Sequence, residues 1–413
     1  MLWGTVSMDY TQEVMIKILS SAIHKRKFEL SECADVAKID FNELLMLSKE
    51  HNVTALLYYA LSGTKSLSLI PSDVLNQLKK LTFFRSSHQM SHVKSVTEIL
   101  AKFKQNNIKT VALKGLVVRN FYPRPEFRTM SDADIVVQEK DLDSAVDLIT
   151  SLGYIEKIRT HADICYIKGN SVIELHWKLI NPGRINGGEN FENEIWDDLI
   201  EVNVGDSQAL SLNYEDLAVH LCVHLIKHLA NKGCGIRMFC DLVVLFEQKE
   251  EEINWDSFWS KIRQYNVEKA VRIVLYICSK YLDMKIKAEM DNEKYIDEKY
   301  LNMLLADVMN HGVFGKSKEG EEIARAVALD SDKSNEKGDF AKYFRVFFPR
   351  VKDLVLSYPY ADKYRIFVPA AYLHRLGKWA FNKDIKTADK ANFCIKGMSV
   401  IKERSPIMRW LEL

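Results

Sequence analysis

Asp132 and Asp134 stand one residue apart in Thr129-Met-Ser-Asp-Ala-Asp-Ile-Val-Val137, and a third acid, Glu174, lies in Ser171-Val-Ile-Glu-Leu-His-Trp177. If Ser131 to Val137 is a strand, its period of two turns Asp132, Asp134 and Val136 to one side and Ala133, Ile135 and Val137 to a core. Two carboxylates on one strand face sit ~6–7 Å apart and can share a divalent cation or a pair of them. Alternation in the second stretch puts Val172, Glu174, His176 and Lys178 on one face, with Ile173, Leu175 and Trp177 on the other. A glutamate between large apolar neighbours is poor strand material without a partner or a task. Three carboxylates on neighbouring strands form a hard-oxygen cage suited to Mg²⁺ or Mn²⁺ with substrate phosphates. Two such ions can clamp the attacking and leaving oxygens of an in-line phosphoryl displacement. Taken alone, the Asp132/Asp134 pair is more plainly a solvated pair at a strand start.

The elements around these acids read as follows. Ile108-Lys-Thr-Val-Ala-Leu113 is a short β-type run ending at Lys114-Gly115, and a helix over Leu116 to Phe121 follows it. The turn at Gly115 and that helix can offer backbone N–H groups to phosphate, with Lys114 and Arg128 adding positive charge. Pro123 and Pro125 stop the helix. A helix from about Asp141 to Leu152 ends at Gly153, a natural C-cap, and Tyr154 to Ile158 is a further strand. Gly169-Asn170 is a tight turn joining strands at 164–168 and 171–177.

Before this unit, residues from about Thr11 to Lys104 read as bundle helices, including one starting at Pro71-Ser72-Asp73 and another over His88 to Phe103. After it, Asn181 to Asn190 is a Gly- and Asn-rich loop, a mobile flap by composition. From about Tyr214 the chain is helical again, with His220, His224 and His228 at successive i+4 positions and Arg237 four residues before Asp241. The histidine row has zinc-compatible spacing. Packing is its plainer role, and His224 or His228 lining a nucleotide pocket is the functional one. Arg237 pairs with Asp241 on a helix face or reaches a triphosphate. Further helices cover roughly Trp255 to Tyr281 and Asn292 to Met309. Gly312 to Phe340, rich in Lys, Glu, Ser, Asp and Gly, reads as a flexible segment.

At 413 residues the chain is too long for one ordinary core. A net charge of +1 gives no global pull toward nucleic acid or membrane. Seven scattered cysteines contain no C-x-x-C pair, which argues against a disulfide framework or a zinc ribbon. The sequence shows no signal peptide and no stretch long and apolar enough to span a membrane, so the cytoplasm is the expected location.

Leu-Lys-Gly (113–115), Tyr122-Pro123, Arg128, Asp132-Ala-Asp134 and Ile173-Glu-Leu-His-Trp177 together resemble the uncharacterised nucleotidyltransferase family of the DNA polymerase β superfamily. The resemblance extends through His220–Asp241 to Phe348-Pro349, Tyr358-Pro359, Pro369 and Leu373-His-Arg375, covering most of the chain from about Asn52. It implies an α+β fold, a small polymerase-β-like mixed sheet flanked by N- and C-terminal helical regions. The implied divisions are 1–104, a catalytic domain over 105–212, and 213–413, with the flexible segment near 312–340. It implies a metal triad of Asp132, Asp134 and Glu174, and transfer of a nucleoside monophosphate from an NTP to an acceptor. Lys114, Gly115, Arg128, His176, His224 and Arg237 are the expected nucleotide-binding residues. Leu116 departs from the pattern, since the superfamily usually carries Ser or a second Gly there. The acceptor is left unidentified: a small molecule is one candidate, with tRNA or a protein side chain as the toxin-like alternative. A catalytically degenerate nucleotide-binding module is the non-enzymatic one.

Overall fold

The computed structural model describes residues 8–160, 162–179, 194–230, 233–287, 292–312, 348, 351, 354–355, 358–380 and 404–413. The loop expected at 181–190 and, beyond Gly312, the segment expected to be flexible at 312–340 lie outside them. The chain divides into two compact units, residues 1–227 with 234–313, and residues 228–233 with 314–413.

The first unit is built on a seven-stranded mixed sheet in the order β3-β4-β5-β2-β1-β7-β6. The strands are β1 Thr110–Ala112, β2 Ala133–Val137, β3 Ile155–Arg159, β4 Asp163–Lys168, β5 Ser171–His176, β6 Leu199–Val204 and β7 Ser207–Leu212. β2 lies in the middle, antiparallel to β1 and parallel to β5. All five of its residues are buried, as a strand covered on both faces requires. The β4–β5 hairpin turns at Gly169, whose φ of +56° suits the tight turn expected there. The β6–β7 hairpin was not anticipated; its sequence signal is Gly205-Asp206, with Gly205 at φ +59°. Val202, Val204, Ser211 and Leu212 are its buried residues.

Four helices precede the sheet: α1 Tyr10–Ile23, α2 Phe41–Glu50, α3 Thr54–Leu61 and α4 Ser72–Gln105. The two helices expected between Pro71 and Phe103 are one, 34 residues long. Nothing between Phe84 and His88 interrupts it, since Arg85-Ser86-Ser87 contains neither Gly nor Pro. Ser72 is its first helical residue, and Pro71 occupies the cap without a side-chain bond. α5 Gly115–Val118 continues as a 3₁₀ turn to Phe121, and α6 is Leu142–Ser151.

Helices α7 Tyr214–Ala230, α8 Ile236–Lys249, α9 Trp255–Gln264, α10 Glu268–Leu282 and α11 Glu298–His311 follow. The helical stretch expected over Trp255 to Tyr281 consists of α9 and α10; the chain breaks at Asn266, which takes φ +55°. α1, α8 and α10 pack into a helical core with Met15, Ile18, Leu19, Phe239, Phe246 and Ile273 at or near zero exposure. Helices from before and after the sheet thus share one compact unit with it. In the second unit, α12 Pro359–Lys363 and α13 Val368–Ala380 cluster around Leu354, Tyr358, Ala361 and Ala371. Among the described residues, no helix is long and apolar enough to cross a membrane.

One lock fixes the approach to β2. Gln89 of α4 donates its Nε2 to the Met130 carbonyl at 2.9 Å, and its Oε1 accepts from the Met130 N–H at 2.9 Å. Gln89 is 1% exposed, so no water replaces these bonds when the side chain is shortened. Gln89→Ala leaves two buried backbone groups unpaired, and we expect it to cost roughly 2–6 kcal/mol at about 1–3 kcal/mol each, measured by urea unfolding.

Candidate active site

Asp134 and Glu174 are Cα partners on the adjacent parallel strands β2 and β5. Equal register on parallel neighbours brings their side chains to the same face of the sheet. His176, two residues on, joins them. Its Nε2 lies 3.1 Å from Asp134 Oδ1 and 3.4 Å from Glu174 Oε2. One ligand atom from each of these three residues falls within 4.8 Å of the others, close enough to hold one metal ion. Asp132 lies just outside β2, which begins at Ala133, so its side chain is set by the turn before the strand and not by the pleat.

The electrostatics tie the acids together. Burial, then Asp134 and Glu174, push the Asp132 carboxyl up to about 6, against the pull of Lys114 and Arg237. Burial acts on Asp134 in the same sense, but Lys114 and His176 outweigh it and hold Asp134 well below the usual carboxylate range. The Lys114 ammonium donates to Asp134 Oδ1 at 2.5 Å. Burial would lower its pKa, yet Asp134 and Glu174 raise it above the ordinary lysine value. His176 behaves alike: burial lowers it, while its bonds to Asp134 and Glu174 raise it. Glu174 is the more open acid, with its side chain 29% exposed against 8% for Asp134.

Lys114 reaches this face from an unusual backbone. It has φ +47° and ψ −116° at the start of α5, a region non-glycine residues enter at a cost of roughly 1–3 kcal/mol. Such strain persists only where the surroundings over-determine it. Gly115 follows because nothing larger fits: a Cβ there would meet Arg128 Nη1 and sit 2.6 Å from Met130 Sδ. Leu116 is fully buried, its N–H bonded to the Leu113 carbonyl, and the Val117 and Val118 amides both donate to Lys114. The single turn of α5 therefore has these three amides committed within the chain.

A second buried cluster lies behind the loop. Asp241 of α8 accepts from Arg128 Nε at 3.0 Å and Nη2 at 2.6 Å, from Tyr122 Oη at 2.7 Å and from Arg237 Nη1 at 3.4 Å. Arg128 is thus a bidentate partner of Asp241, and the Arg237–Asp241 pair read from their spacing is present. Arg237 Nε is buried without a hydrogen-bond partner, and its charge is felt at Asp132. On α7, His220 and His224 stack with ring centroids 5.9 Å apart. His220 is 1% exposed, and burial, followed by Lys114, pushes it down to about 3. His224 is half-buried beside it. The cluster's main element, Asp241, is one that sequence reasoning assigned only to a local pair with Arg237. Its bonds to Tyr122 and Arg128 join residues 119 and 113 positions apart in sequence and carry no sequence signal beyond the charges themselves.

Residues 37–283 match the uncharacterised nucleotidyltransferase family. The chain belongs to that family. No curated protein matches it. Similar solved structures include the antibiotic-resistance factor ANT(2'')-Ia, at 9% identity and a TM-score of 0.33, over 44% of this chain and 94% of that one. The lincosamide antibiotic adenylyltransferase LnuA, with lincomycin bound, is similar at 15% identity and a TM-score of 0.27, over 37% of this chain and 94% of its own. An antigenic nucleotidyltransferase-like protein from Paracoccidioides brasiliensis is similar at 15% identity and a TM-score of 0.29, over 48% and 95% respectively.

Asp241→Ala strands Arg128 and Arg237 without their carboxylate, and unfolding titrations should show a loss of about 3–5 kcal/mol. Burial works to lift the Asp241 pKa, but Arg128, Arg237 and Tyr122 hold it below its ordinary value. Its stabilisation is therefore complete above an unfolded value near ~4 and is lost as pH falls through the folded one. The gap between wild type and Asp241→Ala should accordingly narrow in acid. Gly115→Ala overpacks Arg128 and Met130, and thermal melts should show it destabilised by about 1–3 kcal/mol.

Proposed function

We propose that this chain transfers a nucleoside monophosphate from an NTP to an acceptor hydroxyl or phosphate, releasing pyrophosphate, with a divalent cation held at Asp132, Asp134 and Glu174. The observation that carries this reading is the in-register meeting of Asp134 and Glu174 on β2 and β5, with both charges raising the pKa of Asp132. The donor set fits the ion. Carboxylate oxygens suit Mg²⁺ or Mn²⁺, and a repelling buried cluster gains most from a compact double charge. When bound, the ion would supply charge neutralisation and polarisation at the triphosphate.

The chain's own residues account for the rest. Glu174, the more open acid, orients the acceptor or takes its proton. Lys114, raised in pKa and therefore charged, faces the developing negative charge on phosphate. His176 and Asp134 hold each other in place. Arg128 is held rigid by Asp241, so in this reading it adds field to the phosphate region, with Arg237 nearer Asp132. Gly115 permits the close approach of Arg128, and His224 lines the pocket from α7. Residues 105–212 form the catalytic domain, between helical regions over 1–104 and 213–413. A small-molecule acceptor agrees with a net charge of +1, which offers little to a polyanion.

One observation favours a second reading, a nucleotide-binding module without turnover. The Leu116 side chain is buried, and the α5 amides after Gly115 are already bonded, so this loop offers a triphosphate less than a Ser- or Gly-bearing one. Mg²⁺-dependent NTP binding with no pyrophosphate release would select it.

The test is incubation with each labelled NTP, Mg²⁺ and cell extract, followed by separation of RNA, protein and small molecules. Label should pass to a small molecule with release of pyrophosphate. Asp134→Asn should abolish transfer, and Glu174→Gln should lower its rate about 10²–10⁴-fold. Unchanged turnover in both Asp132→Asn and Asp134→Asn would sink the mechanism.

A further inference from the structure

Glu174 stands in a row of side chains that runs on past the carboxylates. Its Cα partners are Asp134 on β2 and Cys165 on β4, and Cys165 lies opposite Ile158 on β3. Residues directly opposite one another on paired strands share a face of the sheet. The next row on this face is Val172, Ile167 and Ile155, from β5, β4 and β3. Burial agrees with the parity. Cys165, Ile167 and Val172 are half-buried, whereas Tyr166 and Ile173 on the reverse are buried. The carboxylate face thus extends two strands beyond Glu174, ~10 Å at ordinary strand spacing, as an apolar floor.

The edge strand β3 is shaped to supply this floor. Its register slips between Glu156 and Ile158, which makes Lys157 the extra residue of a bulge. Without the slip, Ile155 and Ile158 would point to opposite faces. With it, both lie on the carboxylate face, each 64% exposed. The same slip brings Glu156 and Arg159 together on the reverse, opposite Tyr166 and Ile164, where they pair at 2.7 Å. β3 therefore sends its ion pair to the side that carries the core and its two isoleucines to the open side. Folding alone favours the opposite choice, because charge on an exposed edge guards against stray association. Bulges beside active sites re-aim side chains in this manner.

Strand order indicates which substrate meets the floor. β1, which leads into Lys114, lies on one side of β2, and β5, β4 and β3 lie on the other. With the NTP on the Lys114 side and Glu174 toward the acceptor, the body of the acceptor extends over β4 and β3. Neither row contains a lysine or arginine, so the floor offers nothing to a phosphate backbone.

We propose, resting on the nucleotidyl-transfer reading, that the acceptor is a small alcohol with an apolar ring body, seated on Ile155, Ile158 and Ile167 with its hydroxyl at Glu174. The hydroxyl oxygen bonds to the α-phosphorus of the NTP, and Glu174 takes the hydroxyl proton. The bond from that phosphorus to the bridging oxygen breaks, and pyrophosphate leaves with the electron pair.

Saturation-transfer NMR with naphthylmethanol on the full chain, without NTP, reads the floor independently of turnover. The probe should bind saturably, and the double variant Ile155→Ser/Ile158→Ser should weaken it about tenfold through lost apolar contact. Both residues are exposed, so the variant keeps the fold. Asp134→Asn should bind the probe as wild type does, and Mg²⁺ with a non-hydrolysable ATP analogue should not displace it. The probe should also slow alkylation of Cys165 by N-ethylmaleimide, read by mass spectrometry. No saturable binding would overturn the proposal, as would binding untouched by the double variant. Displacement by the ATP analogue would overturn it too, giving the floor to the nucleotide base. With labelled NTP and extract, the acceptor freed from the product by phosphodiesterase should extract into butanol, and the double variant should raise its KM with kcat kept. Label confined to RNA would reject the apolar acceptor while leaving nucleotidyl transfer intact. Probe binding as described, with no label transferred to anything, would instead sink nucleotidyl transfer and the acceptor assignment with it.

Discussion

Asp132, just before β2, and Asp134 and Glu174, on one face of the sheet, repel one another, and much of the surrounding structure answers that repulsion. Two like charges ~4 Å apart cost on the order of 4 kcal/mol even at an effective dielectric near 20. The chain offsets part of this with Lys114 and His176, both of which touch Asp134. Asp132 receives less help and shows it, with its carboxyl pushed up to about 6. A group left half-compensated in this way is where a cation, or a substrate that carries cations, gains the most.

Holding Lys114 against Asp134 has its own cost, and the way that cost is met links the site to the helices. Lys114 takes a left-handed backbone conformation, and Gly115 leaves room beside it for Arg128. Arg128 stays there because Asp241 grips it from α8 by two bonds. Gln89 of α4 fixes Met130 from the other direction. The loop between α5 and β2 is thus clamped by one buried ion pair and one buried amide before it delivers Asp132 and Asp134. This is why helices distant in sequence belong to the same compact unit as the sheet.

Several features were legible from residue patterns. Alternation in Ser171–Trp177 separated Glu174 and His176 from Ile173 and Leu175, as the burial of β5 shows. Gly169-Asn170 announced the hairpin, and the α+β class followed from short β-type runs set among amphipathic helices. Helix ends are matters of local punctuation. Arg85-Ser-Ser87 contains no breaker, so α4 runs through it, and Asn266 ends a helical run through a left-handed conformation that most residues avoid. The β6–β7 hairpin went unread although Gly205-Asp206 marks its turn, because its strands carry polar residues such as Glu201, Asn203 and Gln208.

By itself, the sequence determined that Asp134 and Glu174 would each face away from a core, since the parity of a strand is a local property of the chain. It also carried the ordered motifs by which the chain belongs to a nucleotidyltransferase family. Only the tertiary structure decided that β2 and β5 are parallel neighbours with Asp134 opposite Glu174, because register is set by the packing of the whole sheet. It alone decided that β2 begins at Ala133 and leaves Asp132 on the turn before it, since strand ends depend on what pairs with them. It alone paired Arg128 with Asp241, more than a hundred residues apart, because a buried charge selects its partner by proximity in the fold.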